Sequence, residues 1–379
     1  MPIPCMQQHK ILVVTLTSFS STGGIEKFNR ALLKALVESE KEKPLLVTGA
    51  GMYDADVDER YIAKEAFHLY RGNRISFIIK NCLRFFSTDE LIVGHLNLSV
   101  LGILFKIIRP GKKLVFICHG IEVFDNISVT QKLGLKLANK ILAVSTFTKN
   151  QLVNRHHLNE SKIVVFPNTI DPYFEIPVRF EKPNYLLERY GITDKTNVVF
   201  TLTRLNSNEG YKGYDVVLKA LHLLRGKGYS FRYILAGKAD AKEQQRALHI
   251  IDELKLHDHV LMPGFIADEE VADHYRLADV FVMPSKGEGF GIVYLEAMAF
   301  GLPVIAGNKD GSTEALQFGK LGTLIDPDNE EDLAIALENA FHKERQSMQV
   351  QQNMLSYFSF TQFKARVQAL LQDSLVGNA

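Results

Sequence analysis

The sequence predicts an α/β protein built from two parallel-sheet domains, and three observations carry that prediction. Short β-rich apolar runs alternate with helix-length amphipathic segments along the whole chain. The alternation is interrupted once, near the middle, by the stretch Val165 to Tyr185, in which four prolines break any regular period. Finally, 379 residues exceed what one average core holds and suit two domains of ordinary size.

The elements follow in order. "KILVVTLT" (Lys10 to Thr17) reads as the first strand. After the pair Gly23-Gly24 comes a helix whose Ile25, Phe28, Leu32, Leu33 and Leu36 recur at helical spacing. Strand-like runs return at "PLLVTG", "LIVGHL", "KLVFICHG" and "KILAVS". Beyond the proline stretch the pattern repeats with "NVVFTLTR", "FRYILAG", "HVLMPGF", "VFVMPS", "LPVIAG" and "GTLID". The expected division is therefore a Rossmann-like domain over 1–175 and a second over 176–355. A terminal helix over 356–379, with Phe360, Phe363, Val367 and Leu370 or Leu371 on its apolar face, packs back on the first domain. Open parallel sheets bind ligands beyond the carboxyl ends of their strands, so the site is expected in a central cleft faced by the two domains.

Composition excludes several classes. Charged residues at 23%, hydrophobic residues at 46% and a formal net charge of +1 argue against disorder and against a nucleic-acid partner. Cys5, Cys82 and Cys118 are few and far apart, which predicts a reducing, cytoplasmic setting without a disulfide framework. "MPIPCMQQHK" lacks the pattern of a signal peptide, and the longest apolar tract, Leu91 to Gly111, is broken by His95, Asn97, Ser99 and Lys106. Charge is uneven: between Arg60 and Lys149 there are 14 Lys and Arg against 5 Asp and Glu. That excess reads either as a solvated helix surface or as a basic face for anionic lipid or a phosphate-bearing acceptor.

Three features converge on a ligand bearing phosphate and sugar. Gly23-Gly24 leaves bare amides at a helix start, where an anion is favoured. "TRLNSNEGYKGYD" places Arg204 and Lys212 between a strand and a helix, two cations suited to a diphosphate. "SKGEGFGIVYLEAMAFGLPVIA" presents Glu288 on a glycine loop and carries Glu296 on the following helix, half-buried among Leu295, Ala297 and Met298. Asp54-Ala55-Asp56 imitates a metal-binding triplet but lies in an acidic turn and is read as solvated, and no histidines fall at metal-ligand spacing, so no metal is expected. Neither glycine loop gives G-x-G-x-x-G, which argues against a dinucleotide cofactor.

The run E-G-F-G, with a second Glu eight positions after the first and then "AMAFGLPVIA", resembles the signature of the GT-B retaining glycosyltransferases of family four, the glycosyl transferases group 1. The likeness extends to "GGIEKFNRALLKAL", "CHGIEVF" and "TRL…KG". It implies an acceptor-binding first domain and a nucleotide-sugar-binding second one. By the same resemblance, Arg204 and Lys212 clamp the diphosphate, Glu288 and His119 contact the donor hexose, and Glu296 holds the ribose. Gly23 and Gly24 approach the diphosphate, Gly289, Phe290, Gly291 and Ile292 offer amides to it or to the sugar, and Gly264, Phe265 and Ile266 hold the base. Seven residues separate Arg204 from Lys212, more than is usual in the family, which weakens the assignment of Lys212.

The expected activity is metal-independent, retaining transfer of a hexose from a nucleotide-diphosphate sugar, with no cofactor beyond that co-substrate. The expected acceptor is a glycan or a lipid-linked molecule, in polysaccharide or glycolipid biosynthesis. UDP-glucose is the expected donor. GDP-mannose-dependent mannosyl transfer and nucleotide-sugar epimerisation are the alternatives. The expected setting is cytoplasmic, with peripheral contact to the inner face of an anionic membrane.

Overall fold

A computed structural model describes residues 8–41, 44–193, 195–343 and 347–376. Cys5 and the leading segment lie outside the described residues. The chain divides into two units: residues up to Pro172 together with those from Phe358 onward, and Tyr173–Tyr357.

In the first unit the strands are β1 (His9–Thr15), β2 (Leu45–Gly51), β3 (Phe67–Leu69), β4 (Glu90–Val93), β5 (Lys113–Cys118), β6 (Lys140–Ala143) and β7 (Ile163–Val165). They form one parallel sheet in the order β3-β2-β1-β4-β5-β6-β7. The helices are α1 (Gly24–Glu40), α2 (Arg74–Phe85), α3 (Ser99–Ile108), α4 (Ile121–Phe124), α5 (Val129–Leu137) and α6 (Thr146–Asn150). The central strands are apolar on both faces because helices cover both sides, which explains why "KILVVTLT" is continuous rather than alternating. Phe77, Phe85, Leu101, Phe105 and Leu135 bring α2, α3 and α5 onto one face, where they meet Leu12, Val14, Leu91, Val93, Leu114 and Phe116. Two three-residue edge strands, β3 and β7, escaped the sequence reading, being too short to show a period.

The second unit repeats the plan with β8 (Asn197–Leu202), β9 (Phe231–Ala236), β10 (Val260–Gly264), β11 (Val280–Met283), β12 (Val304–Gly307) and β13 (Thr323–Ile325), in the order β10-β9-β8-β11-β12-β13. Its helices are α7 (Asn184–Tyr190), α8 (Tyr214–Gly226), α9 (Ala241–Glu253), α10 (Asp268–Leu277), α11 (Ile292–Ala299), α12 (Ser312–Ala315) and α13 (Glu330–Phe341), followed by α14 (Met348–Phe358). Side chains that accept amides at helix starts set several boundaries, among them Asp240 for α9 and Asn329 for α13.

The last helix, α15 (Phe360–Val376), packs on α1 of the first unit. The Phe363 ring meets Phe28 and Phe166 edge-on at 5.6 and 5.2 Å, and Val367 and Leu371 are buried with it. In each sheet the strand order reverses once, between β1 and β4 and between β8 and β11. The loops leaving those strands are where a doubly wound sheet binds its ligand.

Candidate active site

In the second unit two loops leave the switch point, one after β8 and one after β11. Close contacts at glycines hold them together. Gly213 adopts φ +77° and passes so near the other loop that a Cβ would lie 2.2 Å from the Pro284 carbonyl oxygen, and Gly287 lies under the Tyr211 ring. The Lys286 amide donates to the Tyr211 carbonyl at 2.9 Å.

Arg204, Lys212 and Glu288 are brought together by this clamp through a fourth residue, Glu209. Arg204 pairs with Glu209 Oε1 at 2.8 Å, Glu209 Oε2 lies 3.7 Å from Lys212 Nζ, and Lys212 Nζ is paired with Glu288 Oε1. The Arg204 side chain is 73% exposed, whereas those of Lys212 and Glu288 are 12% and 15% exposed. Glu288, expected on an open turn, is thus largely enclosed by its ion pair. The seven-residue gap between Arg204 and Lys212 is taken up by a turn that carries Glu209 back between the two cations. Glu209 had no sequence signal, since an acid between two cations reads as an ordinary loop residue.

Asp310 is a second residue that sequence reasoning missed. It follows β12, is buried, and accepts the Glu288 amide at 2.7 Å on Oδ2 and the Ser312 amide at 2.9 Å on Oδ1. The Gly311 amide returns a bond to the Glu288 carbonyl at 2.9 Å, so the backbone of Glu288 is held from both sides. Burial pushes the Asp310 carboxyl up to about 6, and the neighbouring Glu288 charge adds to that rise.

Gly291 begins α11 with φ +89°, and the Tyr294 ring fills the space a Cβ would need. No side chain caps this helix. Phe290 and Ile292 are buried beside it, so what Gly289 to Ile292 present is backbone. Glu296, expected half-buried, is 1% exposed. It accepts the Tyr275 hydroxyl at 3.1 Å, and Tyr275 stacks on Phe300 at 5.4 Å. Gly264 ends β10 at φ +77° and accepts the Gly237 amide at 2.8 Å; Phe265 after it is exposed and Ile266 is buried.

Gly23, Gly24 and His119 belong to the first unit. Gly23 precedes α1 without a side-chain cap, and Glu26 in the first turn accepts hydroxyls from Thr17 at 2.8 Å and Ser21 at 3.0 Å. The loop before it is held by Asp54, whose buried carboxylate accepts the amides of Ser18, Phe19 and Ser20 at 2.8 to 3.1 Å. The solvated reading of Asp54-Ala55-Asp56 is therefore corrected at Asp54: its buried carboxylate accepts three successive backbone amides, for which a charged acceptor forms the stronger hydrogen bonds. His119, just beyond β5, donates Nε2–H to the Gly94 carbonyl at 2.9 Å and lies edge-on to Phe28. Burial lowers it to about 4, so the ring is neutral at pH 7. Its amide is accepted by Glu122 at 2.5 Å. Among the described residues no group of three or more His, Cys, Asp or Glu is placed to hold a metal ion.

A doubly wound sheet in each unit, with a glycine loop and an acid at one switch point joined to paired cations, is the arrangement expected of the GT-B class. Solved structures agree in fold. A glycosyltransferase of Rickettsia africae superposes with a TM-score of 0.75 at 19% identity, covering 97% of this chain and 99% of that one. Anabaena HepE, crystallised with UDP and glucose, superposes with a TM-score of 0.74 at 20% identity, covering 96% and 100%. Residues 22–174 match the family model for Glycosyltransferase Family 4 and residues 186–355 that for Glycosyl transferases group 1, and the chain belongs to this family.

Among curated relatives, the chain is 31% identical over 212 residues to mannosylfructose-phosphate synthase of Agrobacterium fabrum, covering 54% of this chain and 45% of that one. It is 37% identical over 146 residues to a GDP-mannose-dependent α-(1-6)-phosphatidylinositol monomannoside mannosyltransferase of Mycolicibacterium smegmatis, covering 37% of each. The chain thus spans less than half the length of these relatives.

Proposed function

We propose that this glycosyltransferase moves a hexose from a nucleotide-diphosphate sugar to a glycan or lipid-linked hydroxyl acceptor, with retention at the anomeric carbon and without a metal. The observation that carries the proposal is the chain Arg204–Glu209–Lys212–Glu288 at the switch point of the second unit. Each cation already holds a carboxylate, so a diphosphate can enter by exchange: its oxygens take over Arg204 and Lys212. That exchange releases Glu288 from Lys212 to accept hydrogen bonds from sugar hydroxyls, while Asp310 keeps its backbone in place.

As the glycosyl–phosphate bond breaks, negative charge grows on the leaving oxygen. Fixed cations and the uncapped amides at the start of α11 would stabilise it there. His119 is neutral and already donates its Nε2–H to a carbonyl, which makes it a poor group for proton abstraction. The acceptor proton would then pass to the departing phosphate oxygen. In this reading Glu296, held by Tyr275, meets the ribose, and Gly264 to Ile266 meet the base.

UDP-glucose is the proposed donor. GDP-mannose is the second reading, favoured by the Mycolicibacterium relative, which is named for that donor. Thermal shift and nucleotide release with UDP-, GDP-, ADP- and TDP-sugars, repeated with chelator, separate these readings. Stabilisation and release with one nucleotide class, unaffected by chelator, are expected. Stabilisation by no nucleotide sugar would overturn the proposal.

A further inference from the structure

Helices α2, α3 and α5 carry six Lys or Arg and no Asp or Glu across their full lengths. α3 packs between the other two, so all three share one side of the first sheet. Lys106 is turned inward, its Nζ donating to the Pro110 and Lys112 carbonyls at 3.2 and 2.6 Å. The other five, Arg74, Lys80, Arg84, Lys132 and Lys136, form no ion pair with a carboxylate among the described residues. Arg74 and Arg84 instead meet the hydroxyls of Tyr53 and Tyr70 at 2.8 and 2.6 Å. Their charge is therefore left uncompensated, in contrast to the second unit, where Arg204, Arg246 and Arg276 each hold an acid.

The same side is apolar where it should be polar. Phe77, Asn81 and Phe85 form the buried stripe of α2. The opposite stripe, Ile75, Ile79, Leu83 and Phe86 at spacings of four, four and three, is 73%, 56%, 65% and 66% exposed. Ile107 at the end of α3 and Val129 at the start of α5 extend it, 70% and 87% exposed. An outward stripe of this size is not expected of a helix whose partner is water.

We infer that the outer face of α2, α3 and α5 docks on an anionic phospholipid bilayer, with the aliphatic and phenyl groups entering the acyl boundary and the lysines and arginines meeting lipid phosphates. Charge decides among occupants. A second copy seated on this face would set five unpaired cations against five. A nucleic acid would satisfy the cations but leave isoleucine and leucine on phosphate, without gain. An anionic lipid surface satisfies both halves at one depth. No helix among the described residues is long and apolar enough to cross a membrane, so the contact would be peripheral. The inference stands apart from the donor chemistry, since none of these residues belongs to the candidate active site.

Flotation of the full chain with phosphatidylcholine vesicles, with and without phosphatidylglycerol, tests it. Retention is expected only with phosphatidylglycerol, weakening at high salt. Ile79→Asp with Leu83→Asp should lower the partition coefficient about tenfold or more at unchanged far-UV spectrum and melting temperature. Lys80→Glu with Lys136→Glu should abolish the dependence on phosphatidylglycerol. Indifference to vesicles would overturn the inference. So would retention unchanged by the aspartate pair, a lipid-free dimer dissolved by that pair, or tighter binding to duplex DNA than to vesicles. Stabilisation by nucleotide sugar should persist in all variants, which keeps failure here distinct from failure of the proposed transfer.

Discussion

Each unit holds its glycine loop with a buried aspartate from a neighbouring strand, yet the two aspartates are placed differently. Asp54 accepts three successive amides, those of Ser18, Phe19 and Ser20, and fixes a loop whose acid, Glu26, is satisfied by hydroxyls. Asp310 accepts two amides, and one of them belongs to Glu288, itself an acid in an ion-pair chain. Burial pushes the Asp310 carboxyl up to about 6, and the nearby Glu288 charge adds to that rise. The difference teaches that one device serves rigidity in the first unit and aims a charged side chain in the second. It also predicts where substitutions damage folding and where they damage transfer.

The largest effect should be on transfer. Glu288→Gln and Arg204→Ala each remove a group from the ion-pair chain without opening the core. Turnover of nucleotide sugar should fall by about 100-fold or more. Melting should hardly move in Arg204→Ala, because that side chain is mostly in solvent and exposed pairs contribute about 0–1 kcal/mol, and should fall somewhat further in Glu288→Gln, whose pair with Lys212 is largely enclosed. Kinetics and differential scanning fluorimetry on the same preparations check this. A loss of folding as large as the loss of rate would mean that the chain is structural and the contrast between the units false.

Asp54→Ala should do the reverse within its own unit. One buried and two partly buried amides lose a charged acceptor, and about 2–3 kcal/mol of local stability should go with them. Hydrogen exchange should accelerate in β1 and α1 and stay unchanged in β8 and β11. Equal acceleration in both units would show that the aspartate does not act locally.

How much of this was legible in the sequence follows from the same residues. The repeated apolar runs expose the sheets because strands buried on both faces must be apolar throughout. Arg204, Lys212 and Glu288 could be named because strand-end loops are where side chains reach a ligand. Glu209, Asp54 and Asp310 could not. Their significance comes from partners up to 36 positions away in the chain, reached only after folding: Asp54 lies 36 residues from Ser18, and Asp310 lies 22 from Glu288. The outward stripe of α2 was hidden for a related reason. Its inner and outer faces are both apolar, so periodicity shows a helix without showing which side is left to solvent. The charge count detected the basic excess but not the apolar residues among it.

Titration of Asp310 separates the two aspartates further. Its carboxyl rises from 3.8 to about 6 on folding, so the native state binds the proton more tightly than the unfolded chain does. The associated stability is complete below pH 3.8 and is lost as pH rises through about 6, by about 3 kcal/mol at most. Asn at this position keeps one acceptor and sets an amide group against the other N–H. Asp310→Asn should therefore be less stable than the parent at pH 4, with the gap shrinking as pH rises to 7. His119 in the first unit works in the opposite sense: its value falls to about 4, so its contribution is present above 6.5 and lost as pH drops towards 4. Denaturation followed across this window in parent and variant checks the sign, and parallel profiles would sink it.

The smallest effect should sharpen the role of the glycine clamp. Gly213 and Gly264 both adopt φ +77°, so the backbone strain that alanine would bring is the same at each, about 1 kcal/mol. Their surroundings differ. A methyl group at Gly264 meets nothing within 4 Å, whereas at Gly213 it would fall 2.2 Å from the Pro284 oxygen, which is backbone and cannot rotate aside. Gly264→Ala should thus lower stability by that small amount only. Gly213→Ala must part the two loops and with them Lys212 from Glu288, losing both stability and rate. If the two alanines prove equally mild, the loops are not clamped at Gly213, and the meeting of the cations with Glu288 needs another cause.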